Sequence, residues 1–190
     1  MHSPFREILI ALVFLFIIVW LITSRKTVAI KKIEDPFSSL LHSALLIAGF
    51  LIILLNRFQT GLLVIQMIPA SLTIEIVGVI LSAVGMGLSI WARAILGANW
   101  SAKVAIKEGQ QLIQNGPYAI VRNPIYTGSL IYIFGAALVC GQVRGLLGLA
   151  LVLVAVWHKA RTEEKFLCEE FGEEYRQYQK RVKFMIPFVI

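Results

Sequence analysis

The sequence has 190 residues, of which 58% are hydrophobic and 15% charged, and its mean hydropathy is +0.79. This composition excludes an ordinary soluble globular domain and places the chain in a membrane. The formal net charge of +7 comes with no nucleic-acid-binding motif, so contact with anionic lipid headgroups explains it better. We therefore expect membrane lipids, and no nucleic acid, among its partners.

Five apolar runs predict membrane-spanning helices, because each is too continuous for a half-buried strand. They lie at residues 8–22, 40–55, 74–96, 125–139 and 146–157. A spanning helix needs about 20 apolar residues, so the third run suffices by itself and the fifth needs its flanks. Residues 140–145 should join the last two runs in a tight hairpin through Gly141 and Gly145. The predicted fold is all-α, an integral membrane protein with about five transmembrane helices, and four spans is the alternative.

The positions of Lys and Arg predict the orientation, because short cytosolic loops retain positive charge. With five spans and the N-terminus outside, fourteen of the eighteen basic residues are on the cytosolic side. Arg25 and Lys26 follow the first run where a cleavage site would need small residues, so we expect a signal anchor that is not removed. The prediction is a multi-pass protein with a cytosolic C-terminus. Cys140 and Cys168 then lie on opposite sides and should be unpaired.

Polar motifs concentrate in the second half of the chain. We therefore divide it into three N-terminal spans, residues 1–96, and a second region, residues 97–190, to which any chemistry should belong. Residues 97–121 are long for a connector and include Trp100 and Tyr118, which suit the membrane interface. After the fifth run, apolar residues recur every three or four positions between charges. This pattern predicts a cytosolic C-terminal amphipathic helix, capped by Thr162 and broken near Gly172.

The most informative segment is residues 116–128, GPYAIVRNPIYTG. Pro124 suits the first turn of a helix, so Arg122 lies just before a helix N-terminus that could bind a carboxylate or phosphate. Taken alone, Arg122 is more simply a basic residue flanking a span. Glu163 is by itself equally well explained as an acid at the positive end of a helix dipole, and Tyr126 as an interfacial anchor.

This segment is followed by a hairpin of spans and by a Glu-Glu helix that ends in Phe-Gly-Glu-Glu-Tyr. The ordered pair of motifs resembles the isoprenylcysteine carboxyl methyltransferase family, and phospholipid methyltransferases share the general pattern. The resemblance covers residues 97–187. It implies a membrane-embedded fold that binds S-adenosylmethionine on the cytosolic side and releases S-adenosylhomocysteine.

The resemblance also implies residue roles. Glu163 corresponds to the acid that binds the amino group of the cofactor, and Lys159 to a basic position that holds the substrate. The full cofactor-binding set that it implies is Gln110, Gln111, Leu112, Ile113, Tyr118, Asn123, Pro124, Ile125, Tyr126 and Glu163.

Two positions depart from the family pattern. Asn123 replaces the usual His, which removes a titrating group, and Lys159 replaces Arg, which loses the bidentate fork for a carboxylate. Arg161 is the nearby candidate to compensate. The predicted catalytic residues are therefore Lys159, Arg161 and Arg122, and no metal site is expected.

The predicted function is S-adenosylmethionine-dependent methylation of a lipophilic acceptor, an isoprenylcysteine carboxylate or a similar molecule. Methyl transfer needs positioned reactants and exclusion of water, and it needs no nucleophilic residue. A carboxylate acceptor needs only a cation to orient it, whereas the amine of a phospholipid needs a base. This difference favours a carboxylate or a thiol as the acceptor. A phospholipid N-methyltransferase is the alternative enzyme.

A non-catalytic transporter or scaffold is the alternative outside the enzymes. Transporters usually have polar or broken helices within their spans, and the spans here are nearly free of them. Gly85 and Gly87, inside the third run, are expected to be sites of close helix packing.

Overall fold

The computed structural model describes residues 4–23, 29–54 and 61–186. Over these ranges the chain forms two short antiparallel strands, β1 Ile30–Ile33 and β2 Ala105–Lys107. Single 3-10 turns lie at Gly61–Val64, Gly97–Asn99 and Gly116–Ala119. The α-helices are α1 Pro4–Thr23, α2 Pro36–Leu54, α3 Leu72–Leu96, α4 Pro124–Cys140, α5 Val143–Phe171 and α6 Glu173–Arg181.

The helices confirm the predicted all-α membrane fold, and the protein is an integral multi-pass membrane protein. Four of them, α1, α2, α3 and α5, are long and apolar enough to cross a membrane. Helix α4 has 17 residues and is about 25 Å long, at the lower limit for a span. The strand pair β1–β2 was not predicted, because its strands are 75 residues apart (30 to 105) and neither is apolar throughout.

The turn between α4 and α5 lies at Gly141, whose φ of 63° suits glycine. This part of the predicted hairpin is confirmed. The predicted place of Gly145 in the turn is wrong: Gly145 lies inside α5 and packs against Ala137. A side chain at position 145 would meet the α4 backbone, so glycine allows the two helices to approach closely.

Helix α5 corrects a second prediction, since it continues without interruption from the apolar run into the charged tail. Thr162 does not cap a new helix: its hydroxyl donates to the carbonyl of His158 at 3.0 Å in the middle of α5. Lys, Glu and Arg are good helix formers, so the helix continues through them. The predicted break is confirmed at Gly172, whose φ of 54° separates α5 from α6.

The helix ends define two ends of the bundle. At the end that we call the site end, the C-terminal ends of α1 and α3 meet, and Arg93 of α3 donates to the Thr23 carbonyl at 2.7 Å. At the other end, Arg6 donates to the Leu54 carbonyl at 2.8 Å. Cys140 is the last residue of α4, and Cys168 lies near the end of α5. Both cysteines are free, as predicted.

Helices α3 and α4 pack backbone against backbone. A Cβ atom at Gly85 would lie 2.5 Å from the Gly128 carbonyl oxygen, and the Ser82 hydroxyl donates to the Tyr132 carbonyl at 3.0 Å. Gly85 is therefore the close-packing site that the sequence predicts. The prediction for Gly87 is wrong, because a Cβ atom there meets nothing within 4 Å.

This difference gives a stability test. Gly85→Ala should lower the free energy of unfolding by about 1–3 kcal/mol, because α3 and α4 must separate to accept the methyl group. Gly87→Ala is the matched control and should be neutral or stabilising, since alanine favours the helix by roughly 1 kcal/mol. Thermal unfolding of the purified proteins in detergent measures both, and equal melting temperatures would contradict the packing argument.

Candidate active site

A cavity of about 220 Å³ lies at the site end of the bundle. Its walls come from the end of α1, the connection between α3 and α4, the first turn of α4, the polar part of α5, and α6. All ten predicted cofactor-binding residues line this cavity, and so do Lys159 and Arg122. Arg161 does not line it. The fold therefore collects residues from segments that are far apart in sequence.

Two charged side chains on α5 face the cavity together. The Glu163 carboxylate accepts a hydrogen bond of 2.7 Å from the Tyr126 hydroxyl. Lys159 precedes Glu163 by one helical turn, which puts both on the same face of α5, and its ammonium donates to the Ala102 carbonyl at 2.8 Å. A carboxylate and an ammonium side by side complement a ligand that carries groups of both signs.

Aromatic side chains form much of the remaining wall. Tyr118 is 7% exposed, and its carbonyl accepts a hydrogen bond of 2.6 Å from the Tyr178 hydroxyl. Burial, and secondly the nearby Glu163 carboxylate, raise the pKa of the Tyr118 phenol far above its usual value. Tyr118 is thus a neutral phenol at any physiological pH. Trp100, also in the wall, is held by the Arg93 guanidinium, which lies 4.3 Å from its ring centroid.

The predicted cofactor segment at residues 110–113 is held by the loop that precedes it. The Gln110 side chain accepts a 2.9 Å hydrogen bond from the backbone of Lys107, and the backbone of Gln111 donates to the Asn99 side chain at 3.0 Å. The Lys107 ammonium donates to the carbonyls of Ala98 and Trp100. The segment itself is irregular, and the strand in this region is β2, just upstream.

Arg122 lies in the cavity wall, but its guanidinium is already engaged. Its Nε donates to Glu164 at 2.6 Å, and its Nη1 donates to the carbonyls of Gln179 and Val182. The Tyr175 hydroxyl also donates to Glu164, at 3.3 Å. The side chains of Arg122 and Glu164 are 9% and 5% exposed. The sequence predicted an open anion site at Arg122. The structure shows instead that Arg122 joins the start of α4 to α5 and α6.

Arg161 also departs from its predicted place. Its guanidinium lies 4.8 Å from the Trp157 ring centroid and 4.6 Å from that of Phe184. Two residues along a helix correspond to a rotation of roughly 200°, so Arg161 and Lys159 face opposite directions. Arg161 is therefore not placed to replace the missing guanidinium at position 159.

Asn123 binds the segment that follows α6. Its side-chain amide donates to the Phe184 carbonyl at 3.2 Å, and Thr127 donates to the Met185 carbonyl at 2.7 Å. The backbone N–H of Arg122 donates a hydrogen bond of 2.8 Å to the Lys183 carbonyl. Residues 182–186 thus form a strap across the N-terminus of α4. No periodicity marks this segment in the sequence.

Several residues of the cavity wall were not predicted as site residues. The loop residues among them form a polar and aromatic sequence, Asn-Trp-Ser, that could have indicated a binding loop. The tryptophan of α1 lies in an apolar run that carries no such signal. The unpredicted wall residues are Trp20, Leu96, Asn99, Trp100, Ser101, Ala102, Leu167, Tyr175 and Tyr178.

The family model of phospholipid methyltransferases matches residues 73–174, which is more than half of the chain. The chain belongs to the phospholipid methyltransferase family. The match extends from α3 into α6 and contains all the predicted site residues.

Several curated relatives of this family member are named as methyltransferases. Protein-S-isoprenylcysteine O-methyltransferase of Schizosaccharomyces pombe is 35% identical over 96 residues, 49% of this chain and 41% of that protein. Protein-S-isoprenylcysteine O-methyltransferase B of Arabidopsis thaliana is 31% identical over 88 residues, 46% of this chain and 45% of that protein. Methanethiol S-methyltransferase 1 of Bradyrhizobium diazoefficiens is 35% identical over 71 residues, 37% of this chain and 24% of that protein.

The matched parts span less than half of each of these three relatives. A solved structure of a eukaryotic intramembrane Ras methyltransferase, isoprenylcysteine carboxyl methyltransferase, superposes with a TM-score of 0.63 at 20% identity. The superposition covers 100% of this chain and 69% of that one, and it establishes the fold. The family match, the named relatives and this shared fold together confirm the resemblance that the sequence motifs predict.

Proposed function

We propose that the protein is an S-adenosylmethionine-dependent methyltransferase whose acceptor is a lipophilic carboxylate of the isoprenylcysteine type. One observation carries the proposal: Glu163, Tyr126, Tyr118 and Lys159 line a single cavity at the end of a membrane bundle. The names of the relatives support a methyltransferase with such an acceptor.

The residues of the cavity suit the chemistry of the cofactor. S-adenosylmethionine carries an ammonium, a carboxylate and a cationic sulfur, and when bound it supplies an electrophilic methyl group. Glu163, already oriented by Tyr126, would bind the ammonium. The aromatic rings of Tyr118 and Trp100 offer faces that favour a nearby cation. Residues 110–113 lie on the same wall and would contact the adenosine.

The protein side chains would contribute to the reaction by orienting the acceptor and by excluding water. Lys159 would orient an acceptor carboxylate, which is already ionised near neutral pH and needs no base. The aromatic side chains of the wall would limit the access of water, which strengthens the interactions of Glu163 and Lys159 with charged ligands. The apolar helices would let the lipophilic part of the acceptor remain in the bilayer.

The orientation and the division of labour follow from the same proposal. Lys31, Lys103 and Lys165 belong to the large basic majority near the site end, which indicates that this end and the C-terminus are cytosolic. Residues 97–190 would form the catalytic region and residues 1–96 would support it, with Trp20 reaching the cavity. Membrane lipids would surround the apolar helix faces.

Phospholipid N-methylation is the second candidate, favoured by the family match itself. Methyl transfer from tritium-labelled S-adenosylmethionine separates the candidates, with the protein in lipid nanodiscs and either N-acetyl-S-farnesylcysteine or phosphatidylethanolamine as acceptor. We expect label in the farnesylcysteine that alkali releases as methanol, as a methyl ester requires. Alkali-stable label in the phospholipid would favour the second candidate. Absence of transfer to both would leave the transporter or scaffold reading.

The role of Lys159 has its own test. Lys159→Met should lower kcat/KM for the farnesylcysteine roughly 30-fold, because a hydrogen bond to a charged group is lost. This factor corresponds to about 2 kcal/mol of transition-state stabilisation. Arg161→Met removes a charge two residues away that faces outside the cavity, and it should change kcat/KM little. Equal losses in the two variants would contradict the assignment of Lys159.

A further inference from the structure

A cluster of buried titratable side chains lies outside the cavity and has no role in the reaction described above. Glu34 precedes α2, His42 lies in its second turn, and His158 lies on α5. The Glu34 carboxylate is 3.7 Å from His42 Nδ1, and each side chain is 1% exposed. Glu34 also accepts hydrogen bonds from the backbone of Val104 at 2.9 Å and from the Ser38 hydroxyl at 3.2 Å.

The two imidazoles of this cluster are incompletely satisfied. Within the described ranges, the buried Nδ1 atoms of His42 and His158 have no partner in full hydrogen-bond geometry, and the Ser38 backbone is the nearby group that interacts with His42. Their ring centroids are 6.2 Å apart. A buried polar atom without a partner costs about 1–3 kcal/mol, which an apolar side chain would avoid. In the described part of the chain, no three His, Cys, Asp or Glu side chains are arranged to hold a metal ion.

Lys159 connects the cluster to the cavity. It follows His158 directly, lines the cavity, and donates to the carbonyl of Ala102, another residue of the cavity wall. Lys159 is close enough to interact electrostatically with Glu163, one turn further along α5, and with Glu34 of the cluster. His42 in turn faces Glu34, Lys159 and His158, which are the charged and titratable groups around it. A charge placed beside Lys159 is therefore felt at His42.

From this arrangement, and resting on the proposed function, we infer that His42 takes up a proton from solvent when an anionic acceptor binds beside Lys159. Before binding, the Lys159 ammonium interacts electrostatically with two acidic side chains, Glu163 and Glu34. The acceptor adds a further negative charge beside Lys159 and competes with Glu34 for its ammonium. A protonated His42 would then compensate Glu34 and leave Lys159 to the acceptor. Glu34 and His42 are thus positioning residues that favour an acceptor carrying a carboxylate.

The sign of the linkage is fixed by this mechanism. Because the bound state holds more protons than the free state, acceptor affinity should fall as pH rises. The methyl ester of the same acceptor carries no negative charge at the carboxyl group. Its binding should involve no proton uptake and should not depend on pH in this way.

Calorimetry measures the proton uptake directly. N-acetyl-S-farnesylcysteine is titrated into the 190-residue protein loaded with S-adenosylhomocysteine, in two buffers that differ in ionisation enthalpy. We expect uptake of a substantial part of one proton for the acid and none for its methyl ester. His42→Gln should abolish the uptake and weaken acceptor affinity at least about fivefold, while S-adenosylhomocysteine affinity stays unchanged as evidence of folding.

The outcomes separate this inference from the proposed function. Binding and methylation of the acid without proton uptake by the unmodified protein would overturn the inference and leave the function intact. Equal uptake by His42→Gln would also overturn it, since the proton would then reside elsewhere. Neither binding nor methylation of the acid would overturn both.

Discussion

Glu163→Ala should weaken S-adenosylmethionine binding by about 2–5 kcal/mol, the usual effect of truncating one partner of a buried charged pair. The substitution removes the one acidic side chain that lines the cavity among the described residues, and it leaves the Tyr126 hydroxyl without its acceptor. The ligand ammonium would then be desolvated against an apolar wall. Isothermal titration of the detergent-purified protein measures the affinity.

Two further variants make this result specific. Glu169→Ala changes an acid on the same helix that is exposed and paired with Lys32, so it should leave affinity unchanged. Tyr126→Phe keeps the ring and the carboxylate but removes one hydrogen bond, so it should cost only about 0.5–1.5 kcal/mol. Unchanged affinity in Glu163→Ala would remove this residue from the binding site and, with it, the main support for the proposed cofactor.

The sequence predicts the parts of this fold that depend on local chemistry. A run of apolar residues must form a helix in a bilayer, because every backbone polar group needs a partner there. Pro124 begins α4 and Gly172 ends α5, both as their backbone preferences predict. The cofactor residues could be predicted because two short motifs, around Tyr126 and Glu163, resemble a known family and meet in space.

What could not be predicted depends on tertiary contacts. The strap at residues 182–186 is held by hydrogen bonds from Arg122, Asn123 and Thr127, and no pattern in the strap itself reveals them. The facing directions of Lys159 and Arg161 become clear only once α5 is known to be continuous. Glu34 and His42 meet near Lys159 because α2 packs beside α5, a pairing that hydropathy does not specify.

The second large effect is expected at the ion pair of Arg122 and Glu164. Breaking a buried pair by removing one partner usually costs about 3–5 kcal/mol, because the remaining charge stays buried and uncompensated. Arg122→Met leaves Glu164 with the Tyr175 hydroxyl and the Gln179 amide as neutral donors. It also removes the bonds to the carbonyls of Gln179 and Val182. Thermal or chemical unfolding in detergent measures the loss.

A double substitution shows whether the effect comes from the pair. Arg122→Met combined with Glu164→Leu removes both charges together, so its loss should be smaller than the sum of the single losses by about 0.5–3 kcal/mol. The control is Arg176→Met on α6, whose ion pair with Glu173 is 67% and 61% exposed and should contribute within about 0.5 kcal/mol. Additive single losses would contradict a coupled pair. Since α6 carries Tyr175 and Tyr178 into the cavity wall, Arg122→Met should also weaken cofactor affinity, whereas Arg176→Met should not.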